Sequence, residues 1–224
     1  MREGAELHIQ FMIEDQSSAV LIDILMEKLT QTYPDFTWDI KAFRGIGGFT
    51  PKNTVKETKT GKLLNDLATY LSAFDKRLKG FAAAVFVVVD NDTRETERFH
   101  FELEQVASRK GITIDHVFCI AVEEVEAWLL GDRAAIEHAY PSAKQSVLNA
   151  YTQDSICGTW ELLADAVYRG GIRKLKKDCP TYIEMGEIKA EWAGKIGKYM
   201  QPSENKSPSF CFFMKELEER LRSA

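Results

Sequence analysis

The stretch Val-Phe-Val-Val-Val-Asp-Asn-Asp-Thr at 85–93 places two carboxylates, Asp90 and Asp92, directly after five apolar residues. The apolar run is short and rich in β-branched valine, which favours a strand covered on both faces, as in a parallel sheet. Open α/β sheets bind their ligands at the carboxyl ends of the strands. The two carboxylates are therefore predicted at the edge of the sheet where chemistry takes place.

Two further acids follow other apolar stretches in the same way: Glu14 comes after one of them and Glu126 after another. If the strand order is 2-1-3-4, Glu14, Asp90 and Asp92 converge on the crevice between the first and third strands. Carboxylates at close range repel one another unless a cation lies among them. Oxygen ligands without His or Cys suit Mg²⁺ or Mn²⁺, which can polarise a phosphoryl oxygen and activate water. The pattern predicts a Mg²⁺ or Mn²⁺ site formed by Glu14, Asp90 and Asp92.

These acids also have a structural interpretation, because acidic residues after strands often cap helices. Asp92 alternatively caps a helix that begins near Thr93. Glu126 is predicted on a short helix, where it is either solvent-facing or half-buried beside Val125 and Trp128.

Strands and helices alternate through the first 132 residues, which predicts an α/β fold with a mostly parallel, four-stranded sheet flanked by helices. The predicted strands lie at 6–13, 36–43, 82–89 and 112–122. The helices between them are predicted to open at Ser17 or Ser18, near Lys62 and near Glu95, and Gly111 is the predicted C-cap of the third. Short helices without strands are predicted beyond that, at 132–139, 143–150, 158–168, 183–200 and 208–222. We therefore expect an α/β core at 1–132 and a C-terminal helical region at 133–224 that packs on it.

Composition narrows the class of protein. The net charge is -5, and the four cysteines and four histidines are dispersed, which argues against zinc and disulfides and for a reducing cytoplasm. No apolar run reaches the roughly 18 residues of a membrane span, and the first residues lack the apolar core of a signal peptide. A cytoplasmic protein without a membrane partner is the expectation.

The densest basic run is Arg-Gly-Gly-Ile-Arg-Lys-Leu-Lys-Lys-Asp at 169–178. Its cations are Arg169, Arg173, Lys174, Lys176 and Lys177. They are predicted to bind the phosphate backbone of DNA or RNA, and the alternative is a solvated loop or helix end. A second candidate for phosphate contact is the lysine-rich loop at 44–62. It is not a P-loop, because Lys56 stands where Gly is required and Leu63 where Ser or Thr is required.

Glu14 after the first strand, the acids at 90 and 92 after the third, and Glu126 after the fourth together resemble the Toprim fold of topoisomerases, primases and OLD-type nucleases. More narrowly, the chain resembles a prokaryotic Toprim-like family often encoded beside AAA or ABC-type ATPases. The stretches that carry this resemblance are FMIED, TGKLLNDL, VFVVVDNDT, IAVEEVEAWLLGD and NKSPSFCFF. It implies a Toprim-like core, a divalent metal, cleavage of DNA or RNA, and a role in defence or repair with a partner ATPase.

Under this resemblance Asp90 and Asp92 hold Mg²⁺, and Glu14 completes the metal shell or acts as general base. Glu126 supports a second metal or orients the first. The usual Toprim stretch has Gly after its Glu, whereas Asp15 follows here and either adds a ligand or marks drift from catalysis. Three functions stay open: a metal-dependent nuclease or phosphodiesterase, a non-catalytic sensor or partner subunit of an ATPase, and a small-molecule phosphotransfer enzyme.

Overall fold

The four strands of the fold form one all-parallel sheet in the order β2-β1-β3-β4, in a computed structural model that describes residues 6–45 and 62–223. The strands are β1 (Leu7–Ile13), β2 (Phe36–Ala42), β3 (Ala83–Asp90) and β4 (Asp115–Ala121). This confirms the α/β class and the predicted 2-1-3-4 order, and it is consistent with a Toprim-like fold. Because β1 pairs directly with β3, their carboxyl ends are neighbours.

Helices cover both faces of the sheet. The three that connect the strands are α1 (Gln16–Leu29), α2 (Leu63–Arg77) and α3 (Thr96–Lys110). After β4 come α4 (Glu126–Leu130), α5 (Arg133–Ala139), α6 (Gln145–Ala150), α7 (Thr159–Val167), α8 (Gly171–Asp178), α9 (Tyr182–Gly197) and α10 (Pro208–Ser223). Helices α2 and α3 pack on one face, whereas α1 and the helices of the C-terminal region share a single core with the other. None of the helices in the described ranges is long and apolar enough to cross a membrane.

The continuous apolar run of β3 is explained by these two layers. Successive side chains of a strand point to opposite faces of the sheet. Phe86 and Val88 join the core shared with α1 and the C-terminal helices, and Val85, Val87 and Val89 join the core with α2 and α3. The strand needs apolar residues at every position because both of its faces are covered.

Helix α9 approaches α1 closely through two small residues. A Cβ atom built on Gly197 would lie 3.1 Å from Cδ1 of Leu21 and 3.4 Å from Cδ1 of Ile24. One built on Gly194 would lie 3.7 Å from Cγ1 of Val20. This close packing brings the first half of α9 towards the carboxyl edge of the sheet, where α1 begins.

The helix caps differ in part from the sequence-based expectations. Asp15, rather than Ser17 or Ser18, caps α1, and its carboxylate accepts from the backbone N of Ser18 at 2.8 Å. Glu95 caps α3, so the interpretation of Asp92 as a helix cap is wrong. Gly111 is confirmed as the C-cap of α3, with a left-handed φ of 61°.

The basic run forms helix α8, which was not among the predicted helices. Two glycines with positive φ, Gly170 at 99° and Gly171 at 70°, lead into it. Leu175 is fully buried and anchors the helix to the core. Only this anchor and the half-buried Ile172 give the segment an apolar side, which is too weak a pattern to predict a helix.

Candidate functional site

Glu14 and Asp90 stand side by side because they end the two paired strands β1 and β3. Oε2 of Glu14 accepts a hydrogen bond from the backbone N of Asp90 at 3.1 Å. The Asp90 side chain is almost completely buried, with the residue 6% exposed. Its Oδ1 has no hydrogen-bond partner in the described part of the chain. A buried carboxylate oxygen thus lies at the carboxyl end of β3, beside Glu14, where the strand order predicted a site.

The surroundings of Asp90 disfavour its negative charge. Burial raises the pKa of Asp90 well above its usual value, and the charges of Glu14, Asp15 and Glu126 raise it further. The ammonium of Lys189 opposes these effects. A carboxyl group in this position either keeps its proton or requires more positive charge than Lys189 supplies.

Lys189 of α9 brings an ammonium group to the carboxyl edge of the sheet. We call this the acidic edge, after its residues Glu14, Asp15, Asp90, Glu124 and Glu126. Its Nζ lies 3.3 Å from Oε1 of Glu124 and 3.3 Å from Oε2 of Glu126. Burial lowers the pKa of Lys189, but the attraction of Glu126 and Glu124 outweighs it, so that the pKa is raised overall. Lys189 was not among the predicted site residues. Its spacing in the sequence could have indicated it, because Lys189 lies three and four residues before the buried Trp192 and Ala193 and therefore on the apolar side of α9.

The three acids after β4 have two different functions. The Glu123 carboxylate accepts from the backbone N atoms of Cys157, Gly158 and Thr159, at 3.2, 2.8 and 2.8 Å, and so anchors the start of α7. Glu124 and Glu126 instead face Lys189. Glu126 is 4% exposed, so the solvent-facing alternative for it is wrong.

Glu124 should make stability depend on pH. Burial, and then the charge of Glu126, raise the pKa of Glu124 to about 7 from an ordinary value of 4.5. Because the folded state holds this proton more tightly, its contribution to stability is complete below pH 4.5 and is lost as pH rises through about 7. We expect Glu124→Gln to flatten that fall and to be on the order of 1–2 kcal/mol more stable than wild type at pH 8.

Urea unfolding between pH 4.5 and pH 8 measures this effect. The matched control is Glu191→Gln, because Glu191 is an exposed acid on α9 that pairs with Lys195. Its profile should follow that of wild type. Parallel profiles for wild type and Glu124→Gln would contradict the raised pKa.

The structure does not bring the Asp92 side chain into the buried cluster. Asp92 has a left-handed φ of 51°, its side chain is 51% exposed, and its Oδ2 accepts from Nη1 of Arg94 at 2.8 Å. The strand has ended at Asp90, so the alternation that would place both acids on one face no longer applies. Of the predicted site residues, Glu14, Asp90 and Glu126 come together, and Asp92 lies apart at the surface.

Asn91, between the two aspartates, is a positioning residue that sequence analysis missed. It is fully buried, and its Oδ1 accepts from the backbone N of Glu123. Its Nδ2 donates to Oγ1 of Thr96 at 2.8 Å and to the backbone O of Arg94 at 3.0 Å. These bonds tie the end of β3 to the segment after β4 and to the start of α3. The positions of Asp90 and of the acids after β4 are thereby linked.

The cations of the basic run are all exposed on or beside α8. Lys174 pairs with Asp178 one turn later. Lys176 lies 3.5 Å from Oε1 of Glu161, and its Nζ stands 5.0 Å from the centre of the Trp160 ring. The structure therefore leaves the predicted nucleic-acid-binding residues accessible to solvent on α8 or just before it: Arg169, Arg173, Lys174, Lys176 and Lys177. In the second basic candidate, Lys52, Lys56 and Lys59 lie outside the described residues.

A cleft of about 600 Å³ opens beside the acidic edge. Asp15 and Glu124 of the acidic edge line it, together with Trp160 and Arg44. The first turns of α9, from Tyr182 to Ala190, form its other wall. The cleft is thus open to a ligand of moderate size at the wall that Asp15 and Glu124 help to form.

The donor set can be tested against a divalent cation. Within residues 6–45 and 62–223, no three His, Cys, Asp or Glu side chains are arranged as a metal-binding group. The chemistry of the donors nevertheless fits a hard cation, because carboxylates outnumber the ammonium of Lys189 and Oδ1 of Asp90 is buried with no partner among those same residues. Glu14 and Asp90 are the residues that could hold it, and Asp92 would first have to release Arg94. Function is inferred from this geometry, since comparisons with protein-family models, curated proteins and solved structures found no match.

Proposed function

We propose that the chain is a Mg²⁺- or Mn²⁺-dependent hydrolase of Toprim type that cleaves phosphodiesters in nucleic acid. One observation carries the proposal: within the described residues, Oδ1 of Asp90 is buried without a hydrogen-bond partner, beside Glu14 and among further acids. A buried carboxylate that is ionised needs positive charge beside it, and a bound cation supplies that charge where Asp90 does not keep its proton.

In this proposal Glu14 and Asp90 hold the cation. When bound, the cation polarises a phosphoryl oxygen and lowers the pKa of the attacking water. Lys189 neutralises Glu124 and Glu126 in part and keeps their carboxylates in place. Glu124 lines the cleft with a pKa of about 7, at which a carboxyl group both accepts and releases protons, so its Oε atoms are suited to proton transfer during hydrolysis.

The exposed cations of α8 supply the contact with DNA or RNA in this proposal. Their attraction to phosphates is independent of sequence and weakens steeply with salt. From the Toprim-like resemblance we also propose a cytoplasmic protein that works with an AAA or ABC-type ATPase in defence or repair.

A specific observation favours a second candidate, the non-catalytic sensor or partner subunit. The ammonium of Lys189 already pairs with Glu124 and Glu126, as a structural cation would. Asp15 follows Glu14 where Toprim enzymes carry glycine, and it is engaged in capping α1. In this candidate Asp90 remains protonated and no metal is needed.

Calorimetric titration with Mn²⁺ separates the two candidates. We expect saturable binding to wild type and binding at least about 100-fold weaker to Asp90→Asn, which removes the charge and keeps the shape of the side chain. Asp92→Asn is the matched control. It should stay within about 3-fold of wild type, because a surface acid paired with Arg94 contributes little.

A parallel loss in Asp92→Asn would place Asp92 among the metal ligands after release of Arg94. Absence of binding to wild type would reject the hydrolase and leave the partner subunit. Where binding is found, labelled single-stranded and duplex DNA and RNA with Mn²⁺ test hydrolysis directly, with the Asp90→Asn protein as the inactive reference.

A further inference from the structure

We propose that the cleft beside the acidic edge binds one nucleotide of a single-stranded nucleic acid, with its base against Tyr182 and Ile183. The inference deepens the proposed hydrolase by naming its substrate class, and it rests on that function. A duplex keeps its bases stacked inside, so a base can enter a cleft only from a single strand or after extrusion.

The first step of the inference is the exposed apolar wall of the cleft. Tyr182 is 83% exposed and Ile183 is 74% exposed, although both are large apolar side chains on a helix whose opposite side is buried. Adjacent exposed apolar residues at a concave surface mark a binding site rather than ordinary surface. Proteins that bind single strands present aromatic rings of this kind for stacking of the bases.

The second step is the size of the cleft. Its volume of about 600 Å³ lies in the range of pockets that enclose one small molecule, which suits a single nucleotide. Because Asp15 and Glu124 line the same cleft, the phosphate of a nucleotide held there lies beside the acidic edge. In this proposal the phosphodiester then lies towards Glu14, which directly precedes Asp15 in the chain.

The third step is the set of cationic side chains beside the cleft. Trp160 lines the cleft, and two ammonium groups stand near its ring, Lys189 at 5.7 Å and Lys176 at 5.0 Å from the ring centre. Lys176 belongs to α8, so the exposed cations of that helix continue outward from Trp160. Arg44 is exposed on the cleft as well. A strand whose base enters the cleft finds cations for its neighbouring phosphates along this path.

Fluorescence anisotropy tests the inference with three probes at about 50 mM salt, in EDTA so that no strand is cut. The probes are a labelled oligothymidylate of about 12 nucleotides, a labelled duplex of the same length, and unlabelled dTMP as competitor. We expect the single strand to bind at least about 10-fold more tightly than the duplex. Tyr182→Ala should weaken binding of the single strand by roughly 5-fold or more and leave duplex binding unchanged.

The matched control is Phe101→Ala, which removes another exposed aromatic ring, 60% exposed, from α3 on the other face of the sheet. It should change neither affinity. Tyr182 is at the surface, so thermal unfolding should show that Tyr182→Ala remains folded. Equal affinity for single strand and duplex, or an unchanged affinity in Tyr182→Ala, would overturn the inference. If dTMP at the same concentration as the oligonucleotide displaced it completely, the ligand would be a free nucleotide rather than a strand. That outcome would likewise overturn the inference.

These outcomes are separable from those for the hydrolase. Metal-dependent cleavage without discrimination between single strand and duplex would retain the proposed function and reject the cleft as its base-binding site. Discrimination that depends on Tyr182, without metal binding at Asp90, would retain single-strand binding and reject hydrolysis.

Discussion

Replacing Lys189 with methionine should lower the free energy of unfolding by about 3–5 kcal/mol at pH 8, because buried carboxylates lose their counter-ion. Its Nζ lies 3.3 Å from both Glu124 and Glu126, and these carboxylates are largely buried. Methionine keeps most of the length of lysine and packs well, so the lost charge dominates the change. At pH 5 the loss should shrink, because Glu124, whose pKa is raised to about 7, then carries a proton and needs no ammonium.

Lys195→Met is the matched control for this prediction. Lys195 lies on the same helix, its side chain is 54% exposed, and it pairs with Glu191 one turn earlier. An exposed pair of this kind contributes at most about 0.5 kcal/mol. Urea unfolding of both variants at pH 5 and pH 8 gives the comparison. Equal losses in the two variants, or a loss at Lys189 that ignores pH, would mean that the ammonium does not hold the acidic edge together.

Phe213→Ala should cost about 3–5 kcal/mol, because Phe213 connects α10 to the sheet through a cluster of buried rings. Its ring centre lies 5.1 Å from that of Trp128, in a stacked arrangement, and 6.1 Å from that of Phe86. Phe11 lies 6.4 Å away on the neighbouring strand. Removal of this ring leaves a cavity between the sheet and α10, because the backbones of the sheet and the helix cannot move far enough to fill it.

The adjacent residue supplies the control for the ring cluster. Phe212 is 42% exposed, and Phe212→Ala should change the free energy of unfolding by no more than about 0.5 kcal/mol. Chemical unfolding followed by circular dichroism measures both variants. A similar cost for the two phenylalanines would show that α10 is not held to the sheet by this cluster.

Much of the fold could be predicted because its signals are local. The valine run of β3 and the alternation of strands with amphipathic helices predict a parallel sheet, and the order β2-β1-β3-β4 is confirmed. Helix α8 could not be predicted in the same way. Its segment combines two glycines with several cations, and it is held in place by Leu175, whose burial depends on distant elements. Such tertiary stabilisation leaves little trace in a local pattern.

The candidate site could be predicted where the topology alone decides contacts. Parallel pairing of β1 with β3 brings Glu14 beside Asp90, as expected. Asp92 could not be placed by the same argument, because the left-handed turn after the strand directs its side chain to Arg94. Lys189 is separated from Asp90 by nearly half the chain. The packing of α9 on α1 determines the position of Lys189, and no sequence motif near the acids indicates it.

Because Lys189 lies on α9, it is synthesised well after the acids with which it pairs. Sixty-three positions separate Lys189 from Glu126, and at ordinary rates of translation a ribosome needs roughly 3–13 s to add them. During that interval the nascent sheet can pair all of its strands, but the acids at its edge have no lysine to neutralise them. Until α9 emerges, Glu124 and Glu126 lie open to water on the side that this helix later covers. Burial of these acids therefore follows formation of the sheet, and a chain stalled before α9 would leave them exposed to solvent.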